Sequence, residues 1–381
     1  MAFCSRSLAL TLCLSSIAFI DAQAEDWPGW MGSQRDGVYR EDGIIDSIPE
    51  DGLKFRWKVP IQGGYAGPAV SDGKVFVFDY VKSSGSAFNN PGQRATLQGK
   101  ERLTALEVAT GKVLWQLEYD CPYSISYPAG PRCTPTVDGD RVYTLGSQGD
   151  LKCVSVSDGN EIWSRSFVDE FQAEVPIWGF SAHPLVHGDR LYTMVGGING
   201  SVVAFDKMTG KTVWEAIKGK AGYCPPVMLN RGGTEHLLVY HPDAVALLNP
   251  DTGQSIWSVD IQPEYEMSIS RPMIDGNRMY ASGIHDSAVM IDLSDDGLNA
   301  KPAWRSQNRN DAIHSSNATP MFVDGILYGT DGDTGALIAM NSEGEILWQT
   351  FEPVDPGQRR FVKHGTAFLT RLGDSNRYII F

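Results

Sequence analysis

Basic residues are in short supply in this 381-residue chain, where 32 Lys and Arg stand against 46 Asp and Glu and the formal net charge is −14. That balance argues against nucleic acid as a ligand, because its binders need clustered Lys and Arg. It argues equally against adsorption to anionic lipid, and it suits a soluble exported protein. Long apolar runs are missing too. Beyond the first 24 residues no segment could cross a bilayer. Cysteine is scarce. The spacing of Cys121, Cys133, Cys153 and Cys224 fits neither a zinc ribbon nor a C-x-x-C redox pair. There is no G-x-S-x-G elbow, no Gly-rich phosphate loop and no H-E-x-x-H helix.

The first 24 residues read as a signal peptide. Arg6 is the positive n-region, residues 8–20 are the apolar h-region, and Ala22-Gln23-Ala24 is an A-x-A cleavage site. The mature chain then starts at Glu25 and is periplasmic or secreted. A lipoprotein is the alternative, but Leu12 is too bulky for the position before the one suitable cysteine, Cys13. Cys4 and Cys13 leave with the signal. Cys153 lies in an apolar strand and reads as a small buried hydrophobe. An oxidising compartment permits a Cys121–Cys133 bridge.

Glycine and proline are plentiful, at 40 and 21 residues, as turn-rich β proteins require. The glycines fall in a pattern. A turn Gly is followed four residues later by Trp at Gly111/Trp115, Gly159/Trp163, Gly210/Trp214, Gly253/Trp257 and Gly344/Trp348. Trp304 joins the series through a turn stretched over Asp296 and Gly297, and Trp57 through Gly52. The seven tryptophans are 43–58 residues apart. That period predicts an all-β, seven-bladed propeller of four-stranded antiparallel blades over residues 25–381. The third unit shows the blade: strands over 183–186, 190–195, 201–205 and 212–215, with tight turns between. The seven tryptophans are expected to pack one blade on the next. Residues 55–59 read as an outer strand with no unit before it, and residues 366–371 and 377–381 as inner strands with no unit after them. Closure is expected by the N-terminal strand bearing Trp57 joining the C-terminal blade. The third strand of that blade is missing and Phe381 falls mid-strand, so the chain reads as a piece of a slightly longer protein.

Pro68-Ala-Val-Ser-Asp-Gly73, followed by Leu103-Thr-Ala-Leu-Glu-Val-Ala-Thr-Gly-Lys112-Val-Leu-Trp115, resembles the PQQ-like β-propeller repeat. Trp27-Pro28-Gly29-Trp30-Met31-Gly32, with Arg35-Asp36-Gly37 behind it, is similar to the leader of exported bacterial members. The resemblance covers residue 26 onward. It implies one of two kinds of protein. Quinoprotein dehydrogenases carry pyrroloquinoline quinone (PQQ) and Ca²⁺ in the propeller funnel; an outer-membrane assembly scaffold uses the same repeat without a cofactor. The dehydrogenases have two adjacent cysteines beside the quinone. Here no two cysteines are adjacent, no C-x-x-C-H is present, and no calcium motif can be matched. No cofactor and no metal is therefore expected, and PQQ with Ca²⁺ belongs only to the dehydrogenase reading.

Loops entering each innermost strand should line the mouth of the central channel, where rigid scaffolds usually bind. Arg132, Trp178, His183, Arg271, His314 and His364 fall in them. Converging at equivalent slots, they would suit an anionic or carbohydrate-like ligand, with Trp178 as a stacking face and the histidines responsive near neutral pH. Asp331-Gly332-Asp333-Thr334-Gly335 resembles a Ca²⁺ loop, but Asp-Gly is also an ordinary hairpin turn, and the turn is favoured. The expected function is a non-catalytic exported scaffold for a protein or glycan partner. The alternatives are a PQQ-dependent dehydrogenase of alcohols or sugars and a carbohydrate-binding module.

Overall fold

A computed structural model describes residues 25–41, 43–357, 362 and 365–381. Residues 1–24, where a signal peptide is expected, and His364 lie outside them. Seven sheets are arranged as blades, six of them wholly antiparallel. Blade 3 is typical, with strands Leu185–His187, Arg190–Met194, Val202–Asp206 and Thr212–Ala216 in that spatial order. Each lies within two residues of the strand read from sequence, because alternation and turn chemistry both point to the same breaks. The core lies between blades. Leu191, Val203 and Phe205 of blade 3 pack on Tyr143, Leu151 and Cys153 of blade 2, and all six are fully buried.

The Gly–Trp pattern is an interblade lock. Trp163 of blade 2 donates its indole N–H to the Lys207 carbonyl of blade 3 at 3.0 Å. Trp57, Trp115, Trp214, Trp257 and Trp304 donate likewise, to Val108, Val156, Pro250, Gly297 and Ser342 at 2.7–3.0 Å. Each acceptor sits in the turn between the third and fourth strands of the next blade. The turn glycine lies under the indole. Gly210 has φ +69°, and a Cβ there would come within 2.7 Å of the Trp163 ring. Glycine is thus required twice, for its left-handed backbone and for the indole's close approach.

Blade 7 departs from the pattern. It holds Leu369–Leu372 and Tyr378–Ile380, and it is completed on its inner side by Val38–Tyr39, which runs parallel to Leu369–Leu372. An N-terminal strand does close the ring on the C-terminal blade, but a different one from that expected. Residues 55–59 form no strand, and Phe55 is 81% exposed. Trp57 keeps its docking role because the Val108 carbonyl of blade 1 suffices to hold it. Trp348, facing blade 7, is 46% exposed, since among the described residues that blade has no third-to-fourth-strand turn to receive it.

Candidate functional site

The leader peptide crosses the middle of the ring. Trp27 pairs with Val70 of blade 1. The Pro28 carbonyl accepts from Val137 N–H of blade 2 at 2.7 Å, and the Gly37 carbonyl from Arg371 N–H of blade 7 at 2.9 Å. Between these anchors Trp30 stacks on His183 at 5.2 Å, and Arg35 lies over Trp30 at 5.5 Å. Arg35 also donates to the carbonyls of Pro184 and His183 at 2.9 and 3.1 Å. The leader is therefore a wall of the axial site, and its Arg35 is a site residue that the loop reading missed. The only sequence signal for it was the leader motif itself.

Arg271 lies near enough to Arg35 for the two charges to repel. Burial first, then repulsion from Arg271, lowers the Arg35 guanidinium to about 10, still charged at neutral pH. Burial also lowers Arg271, and Asp36 partly offsets this. Among the described residues the guanidinium of Arg271 has one partner, Met273 Sδ at 3.4 Å. Arg35 Nε, Arg271 Nε and His183 Nδ1 are buried without a hydrogen-bond partner. Neither arginine has a carboxylate within salt-bridge distance among the described residues. In a chain this acidic, two such guanidinium groups form a pronounced local excess of positive charge.

The other expected ring residues go elsewhere. Arg132 lies at the margin, and its donors are consumed. It bonds the carbonyls of Gly130, Ser126 and Tyr127 at 2.7–2.9 Å and Ser147 Oγ at 3.3 Å, and it covers the Tyr65 ring. It holds its own loop. Trp178 packs on Tyr223 at 5.7 Å. His314 belongs to a separate cluster between blades 5 and 6. The slots are not equivalent after all. His183 and Arg271 directly precede the proline opening their innermost strands, Arg132 stands two residues earlier and His314 five, so strand alternation and loop length send them to different depths.

His183 does not respond near neutral pH. Burial, reinforced by the Arg35 charge, depresses it to about 3. The imidazole is neutral. Below pH 6.5 the unfolded chain takes up a proton that the folded chain refuses, so this residue makes stability fall as pH drops from 6.5 towards 3. The slope is at most about 1.4 kcal/mol per pH unit. An NMR titration of the His183 ring should show no midpoint above pH 4, and a midpoint near 6.5 would show that the ring is solvated instead.

All four cysteines among the described residues are buried and free, so Cys121 and Cys133 are not bridged. Cys121 Sγ instead faces Asp150 Oδ2 at 3.8 Å. Glu101, Cys121 and Asp150 bring three ligand atoms within metal-binding reach on the seam between blades 1 and 2. Glu101 is already satisfied, however. Tyr119 and Tyr123 hydroxyls donate to it at 2.5 and 2.6 Å and the Ser147 N–H at 2.8 Å. Such a set serves as a buried polar brace. Asp331 accepts from Thr334 N–H at 2.9 Å and Thr334 Oγ1 at 2.6 Å, so the Asp-Gly-Asp-Thr-Gly segment is the capped turn favoured above.

Residues 99–350 match the family described as outer membrane protein assembly factor BamB. The chain belongs to this family. Among curated relatives, BamB of Burkholderia pseudomallei (strain K96243) is 28% identical over 222 residues, 57% of this chain and 51% of that protein. This chain thus spans about half the length of that relative. BamB of Yersinia pestis is 23% identical over 316 residues, 80% of this chain and 71% of its own. A quinoprotein ethanol dehydrogenase of Pseudomonas aeruginosa is 26% identical, but over 43% of this chain and 25% of the enzyme. The fold is shared with BamB from Moraxella catarrhalis, at a TM-score of 0.52 and 17% identity over 83% of this chain and 90% of the other. No helix among the described residues is long and apolar enough to cross a membrane.

Proposed function

We propose that this protein is a non-catalytic exported scaffold whose partner presents an anionic group to the channel axis. The Arg35–Arg271 pair carries the reading. Two buried guanidinium groups with no ion-pair partner among the described residues and with unpartnered Nε atoms are costly to enclose, and a bound carboxylate would satisfy both. Two of the three relatives above are assembly factors, which favours a protein as the source of that carboxylate.

The quinoprotein reading is tested by the same geometry. A flat quinone needs a free slot on the axis, and here Trp30 and Arg35 fill that space against His183. The acidic trio lies on an interblade seam, with both Glu101 oxygens occupied. These residues do not fit a quinone with its calcium ion. Purified protein incubated with PQQ and Ca²⁺ should retain no quinone chromophore and reduce no dye with alcohols or sugars. Capture from the exported fraction should recover a protein partner. A bound chromophore with substrate-dependent dye reduction would overturn the scaffold.

A further inference from the structure

A second polar site lies between blades 5 and 6, independent of the axial arginines. Fifteen side-chain atoms among the described residues are buried without a hydrogen-bond partner, and six of them fall here. They are Asp311 Oδ1, both ring nitrogens of His314, Ser315 Oγ, Ser316 Oγ and Asp333 Oδ2. The other nine are spread over the rest of the propeller and the axial site. Each unmet buried group costs about 1–3 kcal/mol, so such a concentration calls for something to fill it.

Two short segments build the site. The loop entering blade 6 supplies residues 311–316, and the turn after the second strand of that blade supplies residues 331–333. They lie one against the other. Gly332 N–H donates to the His314 carbonyl at 2.8 Å, and a Cβ at Gly332 would fall 1.7 Å from Ser316 Oγ. His314 stands between two carboxylates, with Asp331 Oδ1 3.6 Å from Nδ1 and Asp311 Oδ1 3.9 Å from Nε2. Both separations are too long for a direct hydrogen bond. Asp333 gives one oxygen to His285 Nδ1 at 2.8 Å and leaves the other free. His314, Ser315, Ser316, Asp331 and Asp333 are each at most 8% exposed.

The charge of the cluster selects its ligand. Among the described residues, Asp311, Asp331, Asp333 and the neighbouring Glu264 are faced by one permanent cation, Arg309, which lies 3.5 Å from Glu264. A single metal ion is too small to bridge the set. Among the described residues, the one group of three His, Cys, Asp or Glu ligand atoms within one ion's reach is Glu101, Cys121 and Asp150. We infer that the polar cluster between blades 5 and 6, which reaches solvent at the part-exposed Asp311 and Glu264, binds an organic cation, a primary ammonium or guanidinium group. Such a group would donate to the free oxygens of Asp311 and Asp333, while the Ser315 and Ser316 hydroxyls rotate to complete its shell. The cation could be a free amine or a Lys or Arg side chain of a partner.

The test uses the full-length mature protein and NMR of the His314 and His285 ring signals. Ethylguanidinium and ethylammonium, added separately, should give saturable shifts, and Asp333→Asn should weaken them at least tenfold. If that variant does not fold, Asp311→Asn serves the same purpose, because an amide oxygen can still cap the loop at Gln307. A peptide bearing one Lys or Arg that binds at least tenfold more tightly than the small probes would assign the cation to a polypeptide; equal affinity would assign it to a free amine. The absence of saturable shifts overturns the inference. So does Ca²⁺ saturating the same signals and excluding ethylguanidinium, or the Asn variants binding like the wild type. Arg271→Ala should leave this binding unchanged, so failure here is distinguishable from failure of the axial reading.

Discussion

Replacing Arg271 with Ala should abolish anion binding and leave the unliganded protein at least as stable as the wild type. The side chain contributes one weak contact, to Met273 Sδ, and carries a charge that burial penalises. Removing it relieves an unpaired charge without unmaking a network. A dicarboxylate such as glutarate, at 100 times its Kd, should stabilise the wild type by about 2.7 kcal/mol and the variant not at all. Arg132→Ala should behave in the opposite way. Its guanidinium ties together the carbonyls of residues 126, 127 and 130. Losing those bonds should cost about 2–4 kcal/mol and leave the axial anion site in place. Thermal melts with and without glutarate read both variants. If Arg271→Ala keeps the glutarate shift, or unfolds, the axial pair is a structural element and the anionic partner falls with it.

The second large effect separates tryptophans that look alike in sequence. Trp163→Ala should destabilise the propeller by about 3–5 kcal/mol. It empties the seam between blades 2 and 3, loses the bond to the Lys207 carbonyl, and removes the ring that covers Gly210 and leans on Tyr143. Trp348→Ala should cost about 1 kcal/mol or less, because that ring is 46% exposed and meets no turn of blade 7. Gly210→Ala should resemble Trp163→Ala in direction, since it forces a left-handed backbone on Ala and drives a methyl into the indole. Urea unfolding of the three variants measures this. Equal costs for Trp163 and Trp348 would mean that the tryptophans stabilise their own blades and not the seams.

By itself the sequence determined the repeat, the blade count and the strand pattern. These depend on local requirements: a left-handed turn that only glycine meets cheaply, a Trp at fixed distance from it, and apolar alternation within each strand. It also favoured a turn at residues 331–335, a local feature that the structure shows capped by Asp331 through a bond spanning three residues. Only the tertiary structure decided the rest. Gly111, Gly159, Gly210, Gly253 and Gly344 each lie under the Trp of the neighbouring blade, not the one four residues away, as Gly210 does under Trp163. The closing strand is Val38–Tyr39, since pairing depends on where the ring brings an edge and not on which segment looks most like a strand. The axial site joins residues 183 and 271, which share one slot of the repeat, to residue 35, which lies outside it, and the burial that ring closure imposes holds His183 neutral and leaves Arg271 Nε unpartnered. Charge state and proximity are properties of the enclosed volume, and a linear chain does not have that volume until it closes.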